Sequence, residues 1–265
     1  MFEKFKDFLD DNLRKRKGYE QRIEEMENPE KISAEIGEMV KKVLPEFHNL
    51  VMDLEYSSVS IKTTDKNDFS LKIELNTPGE IYYIVKDDTL YLEDEDLGFQ
   101  LQNSHKITIT LPENFVFNKM EGDISMGSFK MQEISCSKGR LDVSMGSIKL
   151  EDLSLEDFEI KMSMGSFKGI DLSVTNSKVK SSMGSINILG GLLGKNEIGT
   201  SMGSIKLELE QDPREISIRT KTDMGSMKID DESEDNSSKT YKYKYHEPNT
   251  LRLKSSMGSI HVNFI

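Results

Sequence analysis

MGSFKMQEISCSKGRLDVS (residues 126–144) and MGSIKLEDLSLEDFEIKMS (residues 145–163) are successive turns of one 19-residue pattern. Met-Gly-Ser begins at Met126, Met145, Met164, Met183, Met202, Met224 and Met257, with four intervals of 19 residues, then 22 and 33. A fixed period of this length marks a stacked-repeat architecture. Three residues after each Met stand Phe129, Ile148, Phe167, Ile186, Ile205, Met227 and Ile260; five after stand Met131, Leu150, Gly169, Ile188, Leu207, Ile229 and Val262. Ile134, Leu153 and Leu172 form a third apolar column, and Cys136, Leu155, Val174 and Leu193 a fourth. Leu141, Ile160, Val179 and Ile198 lie four residues before the Met. Apolar positions two apart in short runs share one face of a strand. Three such runs per repeat predict a mostly β chain: a parallel β-solenoid whose 19-residue coils have three sides. Gly after the Met suits a corner. A lone coil leaves its inner face and strand edges unsatisfied, so stability must come from neighbours.

Composition sets outer bounds. The 265 residues are 35% hydrophobic, lean for a globule but compatible with a narrow core. The net charge of −12 falls mostly on the middle of the chain. Residues 1–50 carry 12 acidic and 10 basic side chains, residues 51–120 carry 13 and 6, and residues 121–265 carry 22 and 19. With no strongly basic segment, nucleic acid is not an expected partner. One cysteine excludes an internal disulfide framework. The first residues lack an uninterrupted apolar stretch of the secretory kind, so cytoplasmic residence, peripheral at the membrane, is the expectation.

Residues 1–50 read as a helical arm. Phe2, Phe5, Leu9, Leu13, Tyr19, Ile23 and Met26 recur at helical spacing. Asn28-Pro29 offers an N-cap and a first-turn proline for a second helix with Ile32, Ile36, Met39, Val40, Val43 and Leu44. The face of Phe2, Phe5, Leu9 and Leu13 is a candidate for self-association or membrane contact. Residues 51–120 read as irregular strands capping the solenoid, among them Phe69-Leu71-Ile73-Leu75 and Ile107-Ile109-Leu111. Glu93-Asp94-Glu95-Asp96 reads as a solvated loop. Residues 121–265 are the Met-Gly-Ser coils, with a loop insertion at about 231–246 that holds a polar, mobile stretch at 231–238 and then the strand-like Tyr241-Lys242-Tyr243-Lys244-Tyr245. The chain ends inside a coil with no capping element after it.

From about residue 51 to 265 the chain resembles the "putative adhesin" β-strand-repeat family, a domain of unknown function. The resemblance rests on the extended pair from Val59 to Leu75, the Asp-Asp-Thr-Leu-Tyr-Leu strand at 87–92, Ile107-Thr108-Ile109-Thr110-Leu111-Pro112 before the repeats, and Gly turns followed by an aliphatic residue, as in Glu121-Gly122-Asp123-Ile124. It implies a right-handed β-helix and a loose link to the cell envelope and envelope stress. It supplies no catalytic residue.

Little in the sequence points to chemistry. His48, His105, His246 and His261 lack metal-ligand spacing, and no metal or cofactor is expected. Cys136 shares a column with aliphatic residues and reads as a buried structural thiol. No base accompanies the repeated Ser. The Met column has the parity of the inward positions and is expected in the core, with stacked thioethers as soft-metal ligands the alternative. Polysaccharide-cleaving β-helices need clustered carboxylates in a groove, and the columns assemble none. Four residues after the Met, Lys130, Lys149, Lys168, Asn187, Lys206, Lys228 and His261 form an outward column, read as a solubilising face or as a strip facing a polyanion. The expectation is therefore a non-enzymatic scaffold or interaction module, envelope-associated, with a protein partner, self-association, an anionic envelope polymer or a membrane surface as its contacts. The alternatives are a scaffold polymerising head to tail through its uncapped C-terminal coil and a carbohydrate-active β-helix enzyme.

Overall fold

A computed structural model describes residues 29–32, 37–76, 79–94, 105–230, 232–235, 240–243 and 249–265. The first expected helix, with Phe2, Phe5, Leu9 and Leu13, lies outside them. Among the described residues the chain is almost wholly strand, with one short 3-10 turn at Pro213–Glu215 and no α-helix. Alternation of apolar and polar residues decides this. In Gly139–Met145, Leu141 and Val143 are buried while Arg140 and Asp142 look outward. The strands pair in parallel at the 19-residue offset, so that Phe129, Ile148, Phe167, Ile186 and Ile205 stack as one buried column. The result is a β-solenoid-like stack around a continuous apolar core.

The corners fix the register. Gly146, Gly165, Gly184, Gly203, Gly225 and Gly258 all have φ between 138° and 153°. A Cβ on Gly165 would stand 1.7 Å from the carbonyl oxygen of Gly146, and one on Gly184 would stand 1.6 Å from that of Gly165. Each of these glycines is thus a rib resting on the rib below, where only hydrogen fits. Its N–H donates across the stack, as from Gly165 to the Met183 carbonyl at 3.0 Å. The Ser that follows also stacks, with Ser147 and Ser166 hydroxyls 3.2 Å apart. Two further columns take left-handed backbone: Asn114, Glu133, Asp152 and Asp171, with φ of 52–60°, and Asp157 and Asn176, with φ of 41° and 60°. Asn and Asp tolerate that conformation better than other side-chain-bearing residues.

At both ends the rungs depart from chain order. Asn49–Leu54 pairs with both Thr89–Asp94 and Lys119–Met126, and Ser57–Thr64 with both His105–Pro112 and Phe129–Gln132. The first coil of the described chain is therefore inserted between later ones. At the other end, Asn249–Met257 lies between Ile186–Met202 and Ile216–Met224, and Ile260–Phe264 between Ile205–Leu209 and Ser226–Ile229. Outside these insertions, antiparallel strands close the stack. Ser70–Glu74 pairs with His105–Pro112 and carries Met39–Val43; Ile81–Lys86 pairs with Thr89–Asp94 and carries Glu30–Ile32. Glu232–Asp235 and Thr240–Tyr243 do the same for Ser226–Ile229 and Ile216–Met224.

Several expectations are overturned. The second helix is instead the strands Glu30–Ile32 and Met39–Val43, because pairing with existing sheet edges outweighs a weak helical period. The C-terminal coil is internal, so it is not an uncapped end and offers no edge for head-to-tail growth. Within the expected loop insertion, Glu232–Asp235 is an antiparallel strand rather than loop, whereas the strand Thr240–Tyr243 agrees with the strand-like reading of its tyrosines. Leu193 is 43% exposed; a one-residue shift at Gly190 puts Leu192 under Val174. The Met column looks outward, because each Met is the last residue of its strand, where the backbone bends into the glycine corner: Met145 and Met183 are each 39% exposed and Met224 58%. Asp94 is buried rather than solvated, accepting from the Glu55 and Tyr56 amides and from the Ser57 hydroxyl at 2.6 Å, which satisfies a corner.

Two predictions follow from the ribs and the inserted coil. Gly165→Ala should destabilise the protein by at least about 3 kcal/mol in urea unfolding, because strain and overlap act together. Gly191→Ala, where a Cβ meets nothing within 4 Å, should change stability by no more than about 1 kcal/mol. Ending the chain at residue 248 removes the buried Leu251, Leu253, Ile260 and Val262, together about 6–12 kcal/mol of apolar burial. Amide exchange in Ile186–Met202 and Ile216–Met224 should then accelerate to near that of unfolded chain.

Candidate functional site

Stacking turns sequence columns into rails of like side chains, with neighbouring rungs about 4.8 Å apart. The register places Lys130, Lys149, Lys168, Asn187, Lys206, His261 and Lys228 in that order along one face. Lys228 lies beyond His261, because the C-terminal coil is inserted before it. Glu151 sits among the first three lysines. Lys149 Nζ donates to Glu151 Oε2 at 2.7 Å, while Lys130 and Lys168 act on it by charge. That hydrogen bond, with those charges, holds the Glu151 carboxyl below the usual carboxylate range. Lys206 pairs with Glu208 at 2.8 Å. Around Lys130, Lys149 and Lys168 a surplus of positive charge remains after Glu151 is counted.

The next corner carries the opposite sign. Glu133, Asp152 and Asp171 occupy consecutive rungs of the left-handed column and, with Glu113 and Thr63, line an open groove of about 480 Å³. The Thr63 hydroxyl donates to Glu133 Oε2 at 2.7 Å. The rail stops at Asp171 because the next coil has one residue fewer there, with Gly190 set against Leu172. Sequence reasoning missed this groove, although the spacing of 19 between Glu133, Asp152 and Asp171 was its visible signal. These carboxylates are all exposed and lie on one line.

On another face Arg219 and Lys221 lie opposite Arg252 and Lys254 on the adjacent rung, a second short row of like charge; elsewhere the rails mix signs. Lys178 reaches Glu159 at 3.1 Å and Lys180 reaches Glu197 at 3.4 Å, tying adjacent rungs together, while Lys161 reaches Glu159 on its own rung at 3.2 Å. Partial burial opposes ionisation of Glu159, but the hydrogen bonds from Lys178 and Lys161 prevail and hold its carboxyl low. Among the described residues the histidines do not converge: His48 pairs with Asp88, His105 is buried near Gly79, and His261 lies in the lysine rail, while His246 lies outside the described residues. Burial pushes the Cys136 thiol up to about 12, and the thiol donates to the Lys138 carbonyl at 3.4 Å. The native protein should therefore react with a thiol reagent at pH 8 only as fast as it opens, with full labelling appearing when urea unfolds it.

Residues 47–263 match the family model described as Toastrack DUF4097. Among solved structures the chain is similar to a "putative cell adhesion protein" from Clostridium sporogenes, at 14% identity over 90% of this chain and 100% of that one, with a TM-score of 0.32. It is similar also to a "putative adhesin" from Bacteroides fragilis, at 16% identity over 86% and 97% of the two chains, with a TM-score of 0.46. A "putative lipid binding protein" from Parabacteroides distasonis is a third, at 13% identity over 88% and 98%, with a TM-score of 0.31. No curated protein sequence matches. With most of its length within the family model, the chain belongs to the Toastrack DUF4097 family, a domain of unknown function.

Proposed function

We propose that the protein is a non-enzymatic interaction module whose lysine rail takes an elongated polyanion, a linear chain of phosphate or carboxylate groups. The observation that carries this reading is the alignment of Lys130, Lys149 and Lys168 on consecutive rungs with one carboxylate, Glu151, among them. Rungs about 4.8 Å apart give a one-dimensional array of charge held by backbone pairing, so little is lost in ordering it on binding. The acidic rail of Glu133, Asp152 and Asp171 beside it repels a broad anionic sheet such as a membrane more than a narrow chain. The same reading takes the coils to wind right-handed with three sides. The positive-φ columns of each repeat and the steric preference of parallel β crossovers support it.

Binding of inorganic polyphosphate should be measured by titration, with phosphatidylserine vesicles in parallel. Lys149→Glu with Lys168→Glu and Lys206→Glu should abolish polyphosphate binding, and Glu151→Gln should tighten it about threefold or more by freeing one positive charge. Salt should weaken it steeply. Retention by the triple variant would refute the rail as the contact, and preference for vesicles over polymer would refute the elongated partner.

A further inference from the structure

The structure leaves one feature of the repeat without a structural cause. Gly is invariant in Met-Gly-Ser because a Cβ would strike the carbonyl below it. The Ser hydroxyls reach one another across rungs, as Ser147 does Ser166 and Ser226 does Ser259. Met recurs in all seven Met-Gly-Ser coils, although four of its copies are 39–58% exposed and the others are partly so; only the inserted first coil departs, with Tyr56 in register with Met126. At an exposed corner Leu, Ile or Phe would cover the same surface. The buried column three residues on accepts Phe, Ile and Met in turn, so the repeats have diverged where divergence is tolerated.

The register makes these residues one ladder. Its order is Met126, Met145, Met164, Met183, Met202, Met257, Met224, each Met opposite the next. The C-terminal coil, inserted out of sequence, keeps the ladder unbroken. What Met offers over other apolar side chains is a soft, polarisable thioether donor. Soft monovalent cations such as Cu(I) select thioether and thiolate sulfur over oxygen. A metal–sulfur bond is about 2.3 Å long, taking the zinc–sulfur value as a guide. A sulfur–metal–sulfur bridge thus spans about 4.6 Å, close to the rung spacing of about 4.8 Å. The residue before each Met is Ser125, Ser144, Ser163, Ser182, Ser201, Asp223 or Ser256. Six of the seven flanks are uncharged, so little favours a hard divalent cation over a soft one.

We propose that the methionine ladder is a binding strip for soft monovalent cations, Cu(I) or Ag(I), each bridged by thioethers of adjacent rungs. The strip runs along a different corner from the lysine rail and does not depend on it.

The test uses the full chain carrying Cys136→Ala, so that no thiol competes, with methionine ε-methyl groups labelled with carbon-13. Silver nitrate is titrated in chloride-free buffer and the methyl resonances are followed. The ladder methyls should shift at substoichiometric silver, whereas those of Met52, Met120 and Met131, fully buried, and of Met39, exposed and outside the ladder, should not. Zinc should shift none of them. Met145→Leu with Met164→Leu and Met183→Leu preserves apolar bulk and should weaken silver binding at those rungs about 100-fold, the loss of a chelating partner. The proposal is overturned if the ladder methyls do not move, if Met39 moves with them at the same silver concentration, or if the leucine variant binds as the parent does. Should that variant not fold, the comparison of ladder, buried and lone methyls in the parent decides alone.

Discussion

The contact on which the structure depends is that of a glycine Cα with the carbonyl oxygen of the glycine one coil below. Apolar columns tolerate exchange, and Phe129, Ile148 and Phe167 stack in the same line. The ribs tolerate none, because Cβ positions 1.6–2.2 Å from a carbonyl oxygen cannot be filled. A slip of one residue in register would bring a side chain to the rib. Ordinary strands discourage such slips only by turning apolar residues outward; here backbone sterics add a second penalty at every rung. The rib is also where the chain of hydrogen bonds crosses the corner, from Gly165 to Met183 and from Gly184 to Met202.

Once register is fixed, the open edges of the stack become the main structural problem. A parallel stack exposes unpaired strand edges at both ends, the usual template for unwanted association. The chain meets this by threading a terminal coil inward and folding antiparallel strands over what remains. Asn249–Phe264 is therefore flanked on both sides and secures its own neighbours. Ser57–Thr64 does the same at the other end. The short closing strands, Glu30–Ile32 and Met39–Val43 at one end and Glu232–Asp235 and Thr240–Tyr243 at the other, leave only brief edges.

The parallel stacking was legible because side chains 19 apart had to be vertical neighbours, and the lysine rail was legible with it. The order of the rungs was not. Met202, Met224 and Met257 look equivalent in sequence, and only the pairing of Asn249–Met257 with both neighbours shows which is central. The Met column was misplaced because parity counts strand residues and takes no account of where a strand stops; Met164 is the last residue of its strand, against the Gly165 corner, although Met162 two residues earlier is buried. Met39–Val43 was misread because five residues with two valines fit either period, and the available edge of Ser70–Glu74 decided between them. Asp94 looked like one charge among four, and nothing local announced that it would serve the amides of Glu55 and Tyr56 across the fold.

A fold that repeats at about 4.8 Å imposes that spacing on whatever chemistry its columns carry. Charged columns then need neighbours of opposite sign, and the molecule supplies them: Glu151 among three lysines, and Glu159 between Lys161 and Lys178. Left-handed corners draw Asn and Asp for conformational reasons, so the acidic rail of Asp152 and Asp171 has a structural origin whether or not anything binds there. A neutral column faces neither constraint. It needs no counter-charge, and at an exposed corner no shape requires one apolar side chain over another. The retention of methionine in all seven Met-Gly-Ser coils, with Tyr56 replacing it only in the inserted first coil, is therefore the observation that packing, charge and backbone geometry leave unexplained, and the donor chemistry of sulfur is the property of that side chain still available to account for it.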